Sequence, residues 1–210
     1  MKHLKHKYYF IGIGGVGMSA LARLCLRQGH QVVGYDKTAS PITRSLEEEG
    51  IYITYDTAVK AIPKEFAGAE VKVIYTAAIS TAHPQLAYYL SQGNQTRKRA
   101  VFLADLCKKS KLLAVSGTHG KTTTLAILTH IFSESECSFS SLMGGFLNGN
   151  NSNLIGNGEE FMIVEADEYD RSFLQLHPNI ACVTSMDPDH LDVYKTAVAF
   201  FFTQKDIGLY

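Results

Sequence analysis

The sequence predicts an α/β protein of two successive units, a Rossmann-like parallel-sheet domain over residues 1–106 and a P-loop-type α/β domain over 107–210. Three observations carry this. A short apolar strand runs into the glycine turn Gly12-Ile-Gly-Gly-Val-Gly17. Strand and helix patterns then alternate through the first half, and a second strand–loop–helix start follows Leu112. Strands alternating with helices specify a parallel sheet with helices on its faces.

In the first unit, Tyr8 to Ile13 reads as a strand, and Met18 to Gln28 carries apolar residues at helical spacing. Gln31 to Tyr35 is a second strand ending at Asp36. An acidic residue about 20 positions past a G-x-G-x-x-G turn stands where a ribose hydroxyl is met in dinucleotide-type folds. A tight β–α turn that only packs helix on sheet uses the same glycines, so the turn alone does not name a ligand. Ser40-Pro41 is an N-cap and first helical turn, and that helix closes at Gly50. Ile51 to Thr54 and Val71 to Thr76 read as strands, and Pro84 to Gln92 as a helix. Gly93 to Arg99 is polar and aperiodic, and reads as a loop near a domain boundary.

The second unit opens with the buried-strand run Leu112 to Ser116, then Gly117-Thr-His-Gly-Lys-Thr-Thr123, then a helix pattern from Thr124 to Phe132. This is the layout of a phosphate cradle, where loop N–H groups and the positive end of a helix converge. Lys121 adds a cation for the phosphates and Thr122 a hydroxyl for Mg²⁺. The full P-loop pattern has a glycine where this chain has Val115, so the generic motif is only partly matched. The segment Gly144 to Gly158 is rich in Gly and Asn. Phe161 to Val164 is a strand pattern delivering Glu165-Ala-Asp-Glu-Tyr-Asp170. Ile180 to Thr184 is another, leading into Asp187-Pro-Asp-His-Leu-Asp192. Each acidic group alone reads as a solvated loop. Together with the phosphate loop at neighbouring strand ends they point to a metal–nucleotide site, since Mg²⁺ takes one or two carboxylates plus phosphate oxygens.

Composition excludes several classes. Lys+Arg of 20 against Asp+Glu of 20 gives no bulk electrostatic case for nucleic acid or a membrane surface. No apolar run reaches the ~18 residues of a membrane span. The basic start Met1 to Lys7 followed by apolar residues imitates a signal peptide, but Gly12, Gly14, Gly15 and Gly17 break that helix. Cys25, Cys107, Cys137 and Cys182 are widely spaced, which speaks against structural zinc and a disulfide framework. The expected compartment is the cytoplasm.

Gly117 to Thr123, Glu165-Ala-Asp-Glu168 and Asp187-Pro-Asp-His190 together resemble the Mur ligases, the ATP-dependent amino-acid-adding enzymes of peptidoglycan synthesis. The motifs follow the family's order, and the missing loop glycine is a trait of that family. Gly12-Ile-Gly-Gly-Val-Gly-Met18, Thr76-Ala-Ala-Ile-Ser80 and His119 are similar to the branch that adds L-alanine to UDP-N-acetylmuramate. Glu165-Ala-Asp-Glu-Tyr169 suits the murein-tripeptide recycling branch as well.

The resemblance implies roles. Gly117, Thr118, His119, Gly120, Lys121, Thr122 and Thr123 would hold the ATP phosphates. Thr122 and Glu165 would ligate one Mg²⁺, and His190 would face a second metal; Lys121, Glu165 and His190 would form the catalytic centre. Gly12, Gly14, Gly15, Val16, Gly17, Met18, Asp36 and Ser80 would contact the UDP part of the substrate, with His119 and Asn151 near its sugar-lactyl end. ATP would phosphorylate the substrate carboxylate, and the amine of L-alanine would attack the acyl phosphate.

The family is expected to be roughly twice this length, with three domains. The chain therefore reads as a fragment whose ATP domain is incomplete and whose amino-acid-binding domain is missing. Ala197 to Tyr210 departs from the family. On this reading the piece alone does not turn over, and it self-associates through the unfinished domain, Phe200 to Phe202 included. Two other readings stay open: an inactive nucleotide-binding remnant, and an NAD-dependent oxidoreductase built on Gly12 to Asp36.

Overall fold

The computed structural model describes residues 5–146, 152–166 and 175–185. The chain divides into two compact units between Phe102 and Leu103.

The first unit is a five-stranded sheet of β1 (Lys7–Ile11), β2 (Gln31–Tyr35), β3 (Tyr52–Thr54), β4 (Lys72–Tyr75) and β5 (Thr96–Lys98). Its order is β3-β2-β1-β4-β5. All pairs are parallel, with Tyr8 opposite both Val32 and Lys72. Helices α1 (Val16–Arg27), α2 (Pro41–Glu48), α3 (Pro84–Ser91) and α4 (Arg99–Cys107) connect or follow the strands. Central β1 is buried on both faces, so Tyr9, Phe10 and Ile11 succeed one another with no polar alternation. Core phenols need partners in a low-dielectric interior. The Tyr9 hydroxyl donates to Gln85 Oε1 at 3.1 Å, and that of Tyr89 to the Phe66 carbonyl at 2.8 Å. The Ser40 hydroxyl accepts from Thr43 N and the Thr43 hydroxyl accepts from Ser40 N, so α2 starts on a reciprocal cap with Pro41 in its first turn.

Two expectations change here. β1 stops at Ile11, because Gly12 turns out of the strand at φ 84° and the N–H groups of Gly12 and Ile13 both donate to the Tyr35 carbonyl. The polar stretch Gly93 to Arg99 is no plain loop. Thr96–Lys98 pairs with β4 as the edge strand β5, and α4 begins at Arg99. An edge strand tolerates the charged, exposed Arg97 and Lys98, so hydrophobic alternation never announces it.

The second unit holds β6 (Lys111–Ser116), α5 (Lys121–Ser133), β7 (Phe139–Leu142), β8 (Leu154–Gly156), β9 (Phe161–Glu165) and β10 (Ile180–Val183). The sheet order is β10-β6-β9-β7-β8, parallel except for the β7–β8 pair. Leu113, Val115, Leu125, Phe139, Met143 and Ile163 form its core. Neither β7 nor β8 was expected. Ser140 and Ser141 look like turn residues in sequence, yet both are buried, and the Ser141 hydroxyl pairs with that of Thr129 at 2.7 Å. The Gly/Asn segment 144–158 contains β8. Because β6 sits between β10 and β9, their three carboxyl ends are neighbours.

Candidate functional site

In the second unit the chain leaves β6 through Gly117, at φ 124°, and enters α5 through Gly120, at φ 80°. A Cβ on Gly117 would lie 2.8 Å from Ser185 N and 2.9 Å from Ser185 O, so only glycine fits the passage. Gly120 is the N-cap of α5 and supplies no side-chain cap, while its carbonyl takes the N–H of Thr124. The N–H groups of Lys121, Thr122 and Thr123 belong to the helix's first turn, where no intrahelical acceptor exists. No acidic residue stands in that turn, so no charge of the helix's own offsets its positive end. The Lys121 ammonium donates to the Gly117 carbonyl at 2.6 Å, folded over the loop it belongs to.

β9 runs beside β6 with Val115 opposite Glu165, which brings the carboxylate to the start of α5. The Thr122 hydroxyl lies 3.3 and 3.2 Å from its two oxygens. Gly144 N, just past β7, donates to Glu165 Oε2 at 3.1 Å. A Cβ on Gly144 would stand 2.7 Å from the carboxylate carbon, so glycine there lets the loop close on Glu165. On the other side, β10 continues into Thr184 and Ser185. The single proton of the Thr184 hydroxyl has two carbonyls in reach, those of Ser116, at 3.1 Å, and of His119, the nearer of the two. The N–H of His119 donates to Ser185 Oγ at 2.8 Å, and that of Thr118 to the Ser185 carbonyl at 3.2 Å. The structure thus brings Lys121, Thr122 and Glu165 together. The His119 side chain is exposed on the loop. His190, Asn151 and the rest of both acidic groups lie outside the described residues. Among the described residues no three His, Cys, Asp or Glu side chains gather where they could share a metal ion.

In the first unit the glycine turn sits at the carboxyl end of β1. Gly15 is the N-cap of α1, again with no side-chain cap and no acid in the first turn. Val16, Gly17 and Met18 form the first turn, whose N–H groups have no intrahelical acceptor, while Ser19 N is taken by the Gly15 carbonyl. Met18 itself is 1% exposed, so its side chain belongs to the core and only its backbone serves the turn. The carboxylate of Asp36 turns inward: Oδ2 accepts from Gly14 N at 2.7 Å and Oδ1 from Thr38 N at 3.4 Å. Asp36, expected at a ribose, therefore braces the turn. Ser80 lies in the bend after β4, where its hydroxyl accepts from Ala82 N at 3.2 Å.

Two side chains near this turn went unread in the sequence. The Arg99 guanidinium packs on Gly17, with Nη1 only 2.5 Å from where a Cβ would be. His83 stacks on Tyr35 at 4.7 Å, and neither ring nitrogen has a hydrogen-bond partner. Burial holds its imidazole below the ordinary pKa. The four cysteines are free thiols. Burial raises the Cys107 thiol to about 12, so it is inert as a nucleophile at neutral pH. Among the described residues no helix is long and apolar enough to cross a membrane.

Comparison with known proteins agrees with this layout. Residues 7–111 match the catalytic domain of the Mur ligase family, and residues 115–208 match the Mur ligase middle domain. A UDP-N-acetylmuramate–L-alanine ligase of Flavobacterium psychrophilum is 51% identical over 189 residues, covering 90% of this chain and 42% of the relative. The chain thus spans about two fifths of the length of that curated relative. Among solved structures, the UDP-N-acetylmuramate–alanine ligase of Thermotoga maritima superposes with a TM-score of 0.84 at 28% identity, over 96% of this chain and 46% of that one. A UDP-N-acetylmuramate:L-alanyl-γ-D-glutamyl-meso-diaminopimelate ligase from Neisseria meningitides reaches 0.85 at 23% identity, over 97% and 68%, a likeness of fold.

Proposed function

The chain belongs to the Mur ligase family, and from that premise we propose that it carries the UDP-substrate-binding and ATP-binding parts of a cytoplasmic ligase. That enzyme joins L-alanine to the carboxylate of UDP-N-acetylmuramate in peptidoglycan precursor synthesis. The observation that carries the reading is the start of α5, where Lys121 and Thr122 stand beside the Glu165 carboxylate on the adjacent strand. The 51% identical relative bears the alanine-adding name, whereas the tripeptide-ligase neighbour shares the fold at 23% identity.

The chemistry follows from these groups. A carboxylate is a poor electrophile, so it is first phosphorylated by ATP; the amine then attacks the acyl phosphate and phosphate leaves. Charge builds on phosphoryl oxygens in the first step. The Lys121 ammonium and the first-turn N–H groups of α5 are donors of the kind that stabilise such charge. The Thr122 hydroxyl and the Glu165 carboxylate are hard oxygen donors that suit Mg²⁺, the rest of whose shell would come from phosphate oxygens and water. When bound, Mg²⁺ would supply neutralisation of the triphosphate charge. In the first unit, the N–H groups of Val16, Gly17 and Met18 and the neighbouring Arg99 guanidinium suit the diphosphate of a UDP-sugar.

Titration calorimetry of the chain with UDP-N-acetylmuramate, UDP and NADH tests the first half of this reading. Binding of UDP-N-acetylmuramate tighter than NADH is expected. Tighter binding of NADH than of both uridine ligands would overturn it in favour of a dehydrogenase.

A further inference from the structure

We propose that Thr184 and Ser185 are positioning residues that set which backbone groups of the phosphate loop are available to ATP. The inference rests on the reading of this loop as the ATP site and extends it to residues outside the motif.

The argument is one of peptide geometry. In a trans peptide the C=O and the following N–H point in opposite directions, and the described chain has no cis peptide. The Thr184 hydroxyl holds the His119 carbonyl toward β10. The N–H of Gly120 is thereby turned away from β10. The Gly117 carbonyl points at the Lys121 ammonium, and in keeping with that the N–H of Thr118 points the other way, onto the Ser185 carbonyl. The N–H of His119 is likewise taken by Ser185 Oγ. The backbone N–H groups of Thr118 and His119 are thus held by Ser185 rather than turned to the phosphates. What this arrangement turns away from β10 is the Gly120 N–H, at the entry to the first turn of α5. Thr184 also ties its own N–H to the Ser116 carbonyl at 2.9 Å, so the last residue of β6 and the middle of the loop are held by one neighbouring residue.

A loop held this way is preorganised before any anion arrives, and preorganisation appears as affinity. Thr184→Val keeps the shape of the side chain and removes the donor; Thr184→Ser keeps the donor. Titrations with Mg·ATP and with magnesium tripolyphosphate, which lacks the nucleoside, read the phosphate part directly. Thr184→Val should weaken both by about tenfold, the loss expected when one or two ordering hydrogen bonds vanish. Thr184→Ser should stay within about twofold of the parent, as a restored donor requires. The melting temperature and the affinity for UDP-N-acetylmuramate should hardly move in either. A folded Thr184→Val chain that binds both probes like the parent overturns the proposal, and so does Thr184→Ser binding as weakly as Thr184→Val. If Thr184→Val does not fold, Ser185→Ala carries the test: it frees the His119 N–H, removes the long contact to the His119 carbonyl at 3.5 Å and should weaken both probes by about threefold, with unchanged affinity overturning the idea. A parent chain that binds neither probe while still binding UDP-N-acetylmuramate would instead defeat the assignment of the ATP site itself.

Discussion

Replacing Glu165 by glutamine tests the metal assignment by sign. The carboxylate accepts from the Thr122 hydroxyl and from Gly144 N, at 3.2 and 3.1 Å, in partly exposed surroundings. Glutamine is isosteric and keeps one oxygen acceptor, so the fold should lose at most about 1 kcal/mol, the difference between a charge-assisted and a neutral hydrogen bond near solvent. Nucleotide binding should respond differently with and without metal. A carboxylate beside the start of α5 repels a bare triphosphate; at an effective dielectric near 20, unit charges several ångströms apart interact by about 2 to 4 kcal/mol before salt screening. With a bridging Mg²⁺ the same charge becomes a ligand. Glu165→Gln should therefore weaken Mg·ATP by about tenfold or more, roughly 1.4 kcal/mol. In excess EDTA it should leave ATP affinity equal or higher. Calorimetric titration in both buffers, with a denaturant melt to control for folding, reads the two signs. Equal affinities for Mg·ATP in parent and variant, or the same loss in EDTA as in Mg²⁺, would refute the reasoning and leave Glu165 a structural acceptor for Thr122 and Gly144.

Two further expectations concern the first unit. Arg23 is fully buried and pairs with Glu49 at 2.6 Å, while Glu49 remains one-third exposed. Glu49→Ala takes the carboxylate from a buried guanidinium, which keeps the Ser45 hydroxyl at 2.9 Å, and should cost about 3 kcal/mol, whereas Arg23→Met fills the space with apolar atoms, lets Glu49 return to water and should cost under about 2 kcal/mol; urea unfolding giving the reverse order would contradict this. For His83 the native state favours the neutral ring, so the unfolded chain takes up a proton first as pH falls. Its share of stability is intact above the ordinary value of 6.5, declines below it, and is fully lost once pH passes under the folded-state value. Thermal melts from pH 7.5 to 5 should fall less steeply for His83→Phe, which keeps the ring on Tyr35, than for the parent; parallel curves would show that His83 does not contribute.

The sequence by itself determined the elements whose signal is local. Apolar runs mark β1, β6 and β9; Ser40-Pro41 starts α2; glycines mark the two turns out of β1 and β6. Gly117 to Thr123 was legible because a strand, a turn and a helix start follow one another within a few residues. The tertiary structure alone decided what meets that turn. β9 and β10 flank β6 although they follow it by dozens of residues, and only this order puts Glu165 on Thr122 and Thr184 on His119. β5, β7 and β8 escaped notice because an edge strand carries charges and buried serines imitate turn residues; what stabilises them is a partner strand, which sequence periodicity does not encode. Asp36 is the sharpest case. Its place after β2 was readable, but the direction of its carboxylate depends on the absence of a side chain at Gly14, where a Cβ would lie 2.8 Å from Oδ2. Short-range spacing thus records which groups exist, and the non-local pairing of strands decides which of them touch.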